Sequence, residues 1–434
     1  MRNQSEFDPN PSDPDPSLYP DVSIVMPCLN EARWLPTCIA NAQEALDILE
    51  RELGLSGEIL IADNGSTDGS PAIALSLGAR VAHVSRRGYG AALIGGFCAA
   101  RGRYLVMGDA DGSYDFRQSL DLVRRLTEGA DLCMGSRFKG GIEPGAMPWK
   151  NRYIGNPALT FVLNLFYGAG VGDAHCGLRA LTRSCFQTIG LTGAGMEFAS
   201  EMIIKASLKG MRIEEAPVTL SRDLRDRAPH LRPWRDGWRH LRYLFMLSPV
   251  WAFAAPAGLA ALGALAIFAL AAIGSLSPTP QDNPVGNYWV ILAGSMLGLS
   301  HTAALLAAAA YLYGCREGYR SPNWRDHPFA RLISLDSMLI AGGATILAGI
   351  AILGAVVAYW SQIGFQAIPS VLPPVAGTTL VVIGAQNALG GFLLAILQGN
   401  EAQFLQAVEA QIEERQSVRE AQNGDGRASQ ARAA

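Results

Sequence analysis

Two carboxylates one residue apart, Asp109 and Asp111, follow the apolar run Tyr104-Leu105-Val106-Met107-Gly108. Such a run reads as a buried parallel strand, so the acids sit just past its C-terminal end, where open α/β sheets bind ligands. On a turn leaving the strand the pair can share one hard cation, and Mg²⁺ characteristically takes one or two carboxylates plus substrate phosphate oxygens. Asp and Gly are also ordinary turn residues, and the tripeptide alone leaves a plain surface turn open. Two further runs end in the same way. Pro27-Cys28-Leu29-Asn30-Glu31 closes the apolar segment from Val22, and Ala62-Asp63-Asn64-Gly65-Ser66-Thr67-Asp68-Gly69-Ser70 closes the one from Glu58. Acids and small polar residues gathered on one sheet edge point to a nucleotide pocket rather than to a set of turns.

The elements that must position these residues alternate short apolar runs with helical stretches, the pattern of an α/β domain with a mostly parallel sheet. Strands are expected at 22–27, 58–62, 80–84, 103–107 and 131–134, with helices near 34–53, 69–77, 89–101 and 116–128. Pro71, behind Ser66–Ser70, suits a first helical turn. Further elements follow near 178–182, 196–209 and 212–220. The nearly uncharged segment 157–169 is too short to span a bilayer and reads as a core helix or an interfacial one.

The second half has a different composition. Between Trp251 and Asn400 the only Lys or Arg residues are Arg316, Arg320, Arg325 and Arg331. Four apolar stretches, near 244–274, 288–313, 333–360 and 374–398, each reach the roughly 20 residues a membrane crossing needs. Arg232, Arg235, Arg239 and Arg242 precede the first span, the four later arginines separate the second from the third, and the loops near 275–287 and 361–373 have no Lys or Arg. The positive-inside rule then puts the N-terminal domain, middle loop and tail in the cytoplasm, making a multi-pass protein of the inner (cytoplasmic) membrane. Trp234 and Trp238 among the arginines read as an anchor at headgroup depth. The expected organisation is a disordered leader (1–20), a cytoplasmic α/β domain with interfacial segments (21–243), a four-helix transmembrane domain (244–400) and a cytoplasmic tail (401–434). A net charge of -3 gives no support for nucleic-acid binding. The seven scattered cysteines lack C-x-x-C spacing and read as reduced thiols, not a disulfide frame or zinc site.

With P-x-x-N-E, D-N-G-S-T-D and D-x-D in order on three strand ends, residues 21–250 strongly resemble the inverting GT-A (Rossmann-like) glycosyltransferases of family 2. Gly135-Ser136-Arg137 narrows the likeness to the polyprenyl-phosphate (dolichol-phosphate) mannose and glucose synthases. The resemblance implies that Pro27, Asn30, Glu31 and Asp63 line the base and ribose pocket. It implies that Asp109 and Asp111 hold Mg²⁺ or Mn²⁺ against the donor diphosphate, with Ser113 where relatives often carry Gln. Arg137 would pair with a phosphate, and a surface salt bridge is its alternative; for Asp63 the alternative is a helix N-terminal acid.

On the acceptor side, Trp149-Lys150-Asn151-Arg152 resembles the loop that grips a lipid phosphate, with Arg152 the first choice and Lys150 the second. Asp173 and Arg179 fall in a D-x-x-x-G-[FL]-R segment that supports the pocket, Arg179 either touching substrate or only packing. His175 reads as a packing residue more readily than as a base. The segment 195–201 resembles a helix that closes the donor site, although Glu201 could equally be structural. Arg222 or Arg225 would fold over the diphosphate. The implied activity is metal-dependent hexose transfer from a nucleotide diphosphate sugar to a polyprenyl phosphate lipid. UDP-glucose is preferred because 235–242 resembles the glucose-type synthases, and GDP-mannose follows closely. A processive polysaccharide synthase is disfavoured because no Q-x-x-R-W precedes the membrane part, and a non-catalytic partner because the acids are intact. The spans leave room for a lipid groove, a partner site or a homo-oligomer interface.

Overall fold

The computed structural model describes residues 19–224, 233–275, 285–317 and 334–398. Residues 1–18, Arg225, Arg232, Arg320, Arg325, Arg331 and the tail from Glu401, on which readings above fall, lie outside them. The chain divides into two units, the first running to Trp251 and the second starting at Ala252.

The first unit opens with β1 (Val22–Cys28), α1 (Leu35–Leu53), β2 (Gly57–Asp63), α2 (Ser70–Ser76), β3 (Arg80–His83), α3 (Tyr89–Ala99) and β4 (Tyr104–Met107). A 3₁₀ turn (Phe116–Gln118) leads into α4 (Ser119–Thr127), followed by β5 (Leu132–Ser136) and the single turn α5 (Arg137–Gly140). A π-helical turn (Asn151–Gly155) then enters α6 (Asn156–Tyr167), before β6 (Arg179–Thr182), α7 (Arg183–Ile189), α8 (Phe198–Leu208), β7 (Ile213–Pro217) and α9 (Pro233–Met246). Pro in the first turns of α1, α2 and α6 pre-sets the backbone where an amide would lack a partner anyway.

The seven strands lie in the order β3-β2-β1-β4-β6-β5-β7. Only β6 runs antiparallel to its neighbours. Alternation along β1 sends Val22, Ile24 and Met26 to the face covered by α1 and α4, and Val25 to the face covered by α3 and α8. The chain moves outward from β1 through β2 to β3, then returns to lay β4 on the other side of β1. That reversal is the topological switch point, where a crevice opens at the strands' carboxyl ends. Register sets Asp63 beside Cys28 and Met107 beside Val25, so the three strand-end loops emerge at one edge.

The second unit holds α10 (Ala255–Ser275), α11 (Asn287–Arg316), α12 (Leu335–Gln362) and α13 (Leu372–Gln398). Among the described residues four helices are long and apolar enough to cross a membrane, the first of them beginning with a π-helical turn at Val250. Leu259, Ile340 and Leu389 are each more than 70% exposed on their outer faces, where water would penalise them and lipid would not. The protein is a membrane protein. The first candidate span runs from Val250 to Ser275, while α9 continues to Met246 and turns Leu244 into the first unit's core.

Candidate active site

The loops after β1 and β2 are laced into one surface. Asn30 sits in the left-handed region (φ 59°), which Asn tolerates better than most residues, and its Oδ1 accepts the Thr67 amide at 2.8 Å. In return the Ser66, Ser70 and Asp68 side chains accept the amides of Asn30, Glu31 and Ala32 at 2.9, 3.1 and 2.9 Å. Asp63 turns back on its own loop, accepting the Ser66 amide at 3.0 Å and the Gly65 amide at 3.3 Å, with His83 Nδ1 at 3.2 Å. Burial alone would raise the Asp63 carboxyl, but the hydrogen bonds from Ser66, His83 and Gly65 outweigh it and hold the group below its ordinary value. Pro27 is half-buried at the end of β1 and Glu31 is buried behind the loop. The D-N-G-S-T-D motif thus shapes the pocket wall through backbone hydrogen bonds.

Past β4 the chain makes a tight turn. Asp111 Oδ1 accepts both the Ser113 amide (3.0 Å) and the Ser113 hydroxyl (2.6 Å), so Ser113 fixes the carboxylate. Asp109 Oδ1 accepts the Tyr89 hydroxyl at 2.9 Å. An extended strap follows the turn, its Ser221 and Leu224 amides donating to the Ser113 and Asp111 carbonyls at 2.9 and 3.0 Å. The Cys38 thiol shows how densely charge gathers here. Burial pushes it up to about 12, with Asp111, Glu31 and Asp109 adding to the rise. The donors of this cluster are carboxylate oxygens, the hard ligands that Mg²⁺ and Mn²⁺ prefer. Among the described residues no three His, Cys, Asp or Glu side chains form a cation cage. Asp109 and Asp111 would offer carboxylate oxygens to such a cation, which would take its other ligands from outside the protein.

Arg137 opens α5 just past β5 and is buried. Its Nε and Nη2 each lie 2.7 Å from an oxygen of Asp173, a bidentate pair, and its backbone amide also donates to that carboxylate at 3.1 Å. This ion pair is buried, unlike the surface salt bridge weighed above. Arg179 is 1% exposed and donates to the carbonyls of Cys176 (2.7 Å), Ala199 (2.8 Å) and Ala174 (3.0 Å). It knits the 174–179 loop to α8 and is buried inside the domain, whereas Lys150 is exposed. Both ring nitrogens of His175 are enclosed without a hydrogen-bond partner. Burial, together with His240, Arg137 and Arg179, holds that imidazole well below its ordinary value and hence neutral. Arg222 Nε donates to the Pro144 carbonyl at 2.6 Å.

Lys150 is exposed and Arg152 half-buried, each beside an aromatic ring: Lys150 lies 5.8 Å from the Trp149 centroid and Arg152 5.5 Å from that of Tyr153. Trp149, Tyr153, Ile154 and Phe161 are all more than half exposed. Helix α6 buries Thr160 and Leu163 and turns Phe161 and Leu165 outward, so it is neither a pure core helix nor a solvated one.

Comparison with known proteins decides what this architecture is. Residues 23–190 match the model of glycosyl transferase family 2, and residues 308–398 match that of the glycosyltransferase family 2 C-terminal transmembrane region. The low-salt glycan biosynthesis hexosyltransferase Agl6 of Haloferax volcanii is 38% identical over 388 residues, covering 88% of this chain and 90% of that protein. The chain belongs to glycosyltransferase family 2. Over 211 residues it is 30% identical to the polyprenol monophosphomannose synthase of Mycolicibacterium smegmatis, covering 46% of this chain and 76% of that one. A dolichyl-phosphate hexose transferase of Haloferax volcanii is 28% identical over 200 residues, covering 46% of this chain and 82% of the relative. This family 2 enzyme therefore joins a mostly parallel GT-A sheet domain to four membrane helices.

Several residues that build its site gave little signal in the sequence. Asn64 ties β2 to the loop after β3, donating to the Val84 and Arg86 carbonyls at 3.0 and 2.8 Å and accepting the Gly88 amide at 2.8 Å. Arg87 donates to the Asn64 carbonyl at 2.7 Å, and the Tyr114 hydroxyl accepts the Gly177 amide at 2.8 Å. The available cue was Gly88-Tyr89-Gly90, a fourth small-residue loop one turn past a strand on the same edge.

Proposed function

We propose that this glycosyltransferase carries out metal-dependent, inverting transfer of a hexose from a nucleotide diphosphate sugar to polyprenyl phosphate at the cytoplasmic membrane face. UDP-glucose is the favoured donor and GDP-mannose the next. One observation carries the reading. The unit that holds Asp109 and Asp111 at the β1/β4 switch point also exposes a cationic, aromatic-rich segment, Trp149–Ile154, in a chain with four membrane helices. Relatives named for polyprenol and dolichyl phosphate support the acceptor.

Asp109 and Asp111 would bind Mg²⁺ or Mn²⁺, which when bound supplies positive charge against the leaving diphosphate. The β1 and β2 loops, with Pro27, Asn30, Glu31 and Asp63, would take the base and ribose. Arg152 and Lys150 would hold the lipid phosphate while Trp149, Tyr153, Ile154 and the outer face of α6 enter the headgroup layer. Arg137, paired with Asp173, would fix the loop behind the phosphates, and Arg179 would brace it from inside. A lipid phosphate monoester is already anionic at neutral pH, so positioning does more than proton removal, in keeping with a neutral, enclosed His175.

The test incubates membranes containing the full chain with radiolabelled UDP-glucose or GDP-mannose plus polyprenyl phosphate. Chloroform-extractable label is the expected product, and an insoluble polymer would point to a processive synthase instead. Asp111→Ala should cut transfer by about 10²-fold or more while the protein still inserts in the membrane; wild-type turnover in that variant would overturn the metal assignment.

A further inference from the structure

Asp109 and Asp111 are both oriented through one oxygen by a hydroxyl, but the two hydroxyls have different origins. Ser113 is local to its turn, two residues from Asp111. Tyr89 comes from the first turn of α3, and its placement is not fixed by the β4 turn at all. The loop Leu191–Gly195 fixes it. The Ala194 carbonyl accepts the Ala91 amide at 3.1 Å, and a Cβ added to Gly88 or Gly90 would stand 2.1 or 2.2 Å from the Ala194 or Gly193 carbonyl oxygen. Only glycine on both sides of Tyr89 lets the two backbones approach so closely. The phenol ring also meets Phe198, at the start of α8, edge to face at 6.4 Å.

That loop is in turn held by one carboxylate. Glu201, fully buried in α8, accepts the Thr192 amide at 3.0 Å, the Thr192 hydroxyl at 2.9 Å and the Gly193 amide at 2.7 Å, and pairs with Lys205 at 2.7 Å. Burial pushes the Tyr243 phenol of α9 up from its ordinary value, and the neighbouring Glu201 carboxylate adds to the rise. Next to it Ser200 and His240 Nδ1 lie 2.8 Å apart, a second tie between α8 and α9. Helix α9 buries His240 and Leu244 inward and turns Trp238 and Met246 outward, both more than 60% exposed. Its exposed side is the anchor face invoked above. Contacts therefore lead from that helix through His240 and Ser200 to α8, where Glu201, which Tyr243 neighbours, holds the 191–195 loop, and from that loop through Tyr89 to Asp109.

We propose that Tyr89 is a positioning residue for Asp109, and that Glu201 makes this brace depend on the seating of α9 through Tyr243. The inference rests on the metal-dependent reading of Asp109 and Asp111. Tyr89 orients the carboxylate without touching substrate, and outer-shell partners of this kind typically set metal affinity about 10–100-fold. Tyr243 acts three contacts further back, so its effect passes through Tyr89.

The test uses the full chain in nanodiscs and titrates Mn²⁺ by electron paramagnetic resonance in the presence of UDP, and separately of GDP, with thermal melts alongside. Tyr89→Phe keeps the ring packed on Phe198 and should leave the melting temperature unchanged while weakening Mn²⁺ binding about 10-fold. Tyr243→Phe should weaken it in the same direction, and the double variant should be no weaker than Tyr89→Phe alone. Mn²⁺ affinity within two-fold of wild type in Tyr89→Phe overturns the brace. Additive losses in the double variant overturn the link to α9. Wild-type protein that binds no Mn²⁺ with either nucleotide overturns the metal reading and this inference with it, whereas binding by wild type confines any failure to the inference.

Discussion

At the residue scale, side chains that look like ligands in the sequence divide into those that face the crevice and those that hold it open. Ser113 and Arg137 do the second kind of work here. Each is engaged with an aspartate, Asp111 and Asp173 respectively, at 2.6–2.7 Å. The Arg137–Asp173 pair is nearly solvent-free, so removing one partner strands a buried charge at a cost of about 3–5 kcal/mol. Asp173→Ala is therefore expected to lower the melting temperature of the full-length protein by roughly 10 °C, with transfer lost in proportion to folded protein and beyond. A melt that superimposes on wild type would mean the pair is not holding the 173–179 loop.

At the element scale, the same physics of close approach appears in a different solvent. Helices α12 and α13 cross where Gly342 faces Gly384 and Gly349 faces Gly377; a Cβ on Gly384 would come within 2.6 Å of the Gly342 carbonyl oxygen. In lipid no hydrophobic force draws helices together, so backbone proximity and dispersion must do so, and small residues provide it. Asn387 adds an interhelical hydrogen bond from Nδ2 to the Met338 carbonyl at 2.8 Å. Gly384→Ala should cost about 1–3 kcal/mol, seen as a lower melting temperature of detergent-solubilised protein. An unchanged melt would show that the helices part without penalty.

At the scale of the whole molecule, charge distribution carries the orientation. Basic residues flank one end of the spans, and the loops near 275–287 and 361–373 have none, so those two loops are expected on the outer face. Cysteines introduced singly at Gly286 and Gln366 should react with a membrane-impermeant maleimide on intact cells, while the exposed native Cys98 of the first unit should not. Cys98 labelling without disruption would reverse the proposed topology. The same view explains why two solvents are needed. The first unit buries its apolar faces against its own sheet, whereas the second leaves large aliphatic side chains on its outer surface.

Much of this was legible from residue order alone. The strand pattern, the parallel sheet and the four spans follow from local periodicity and run length, which need no knowledge of distant contacts; five strands fall within two residues of where alternation puts them. The D-x-D pair and its place past a strand were legible for the same reason. The tertiary structure alone decided which groups hold those acids. Tyr89 reaches Asp109 across 20 residues of sequence, Arg137 reaches Asp173 across 36, and Ser200 meets His240 from another helix. Such pairings depend on which elements pack together: the return of the chain from β3 to β4 brings Tyr89 to Asp109, and the pairing of β5 with β6 brings Arg137 to Asp173. Sequence spacing records the period of an element, and only packing records which elements become neighbours.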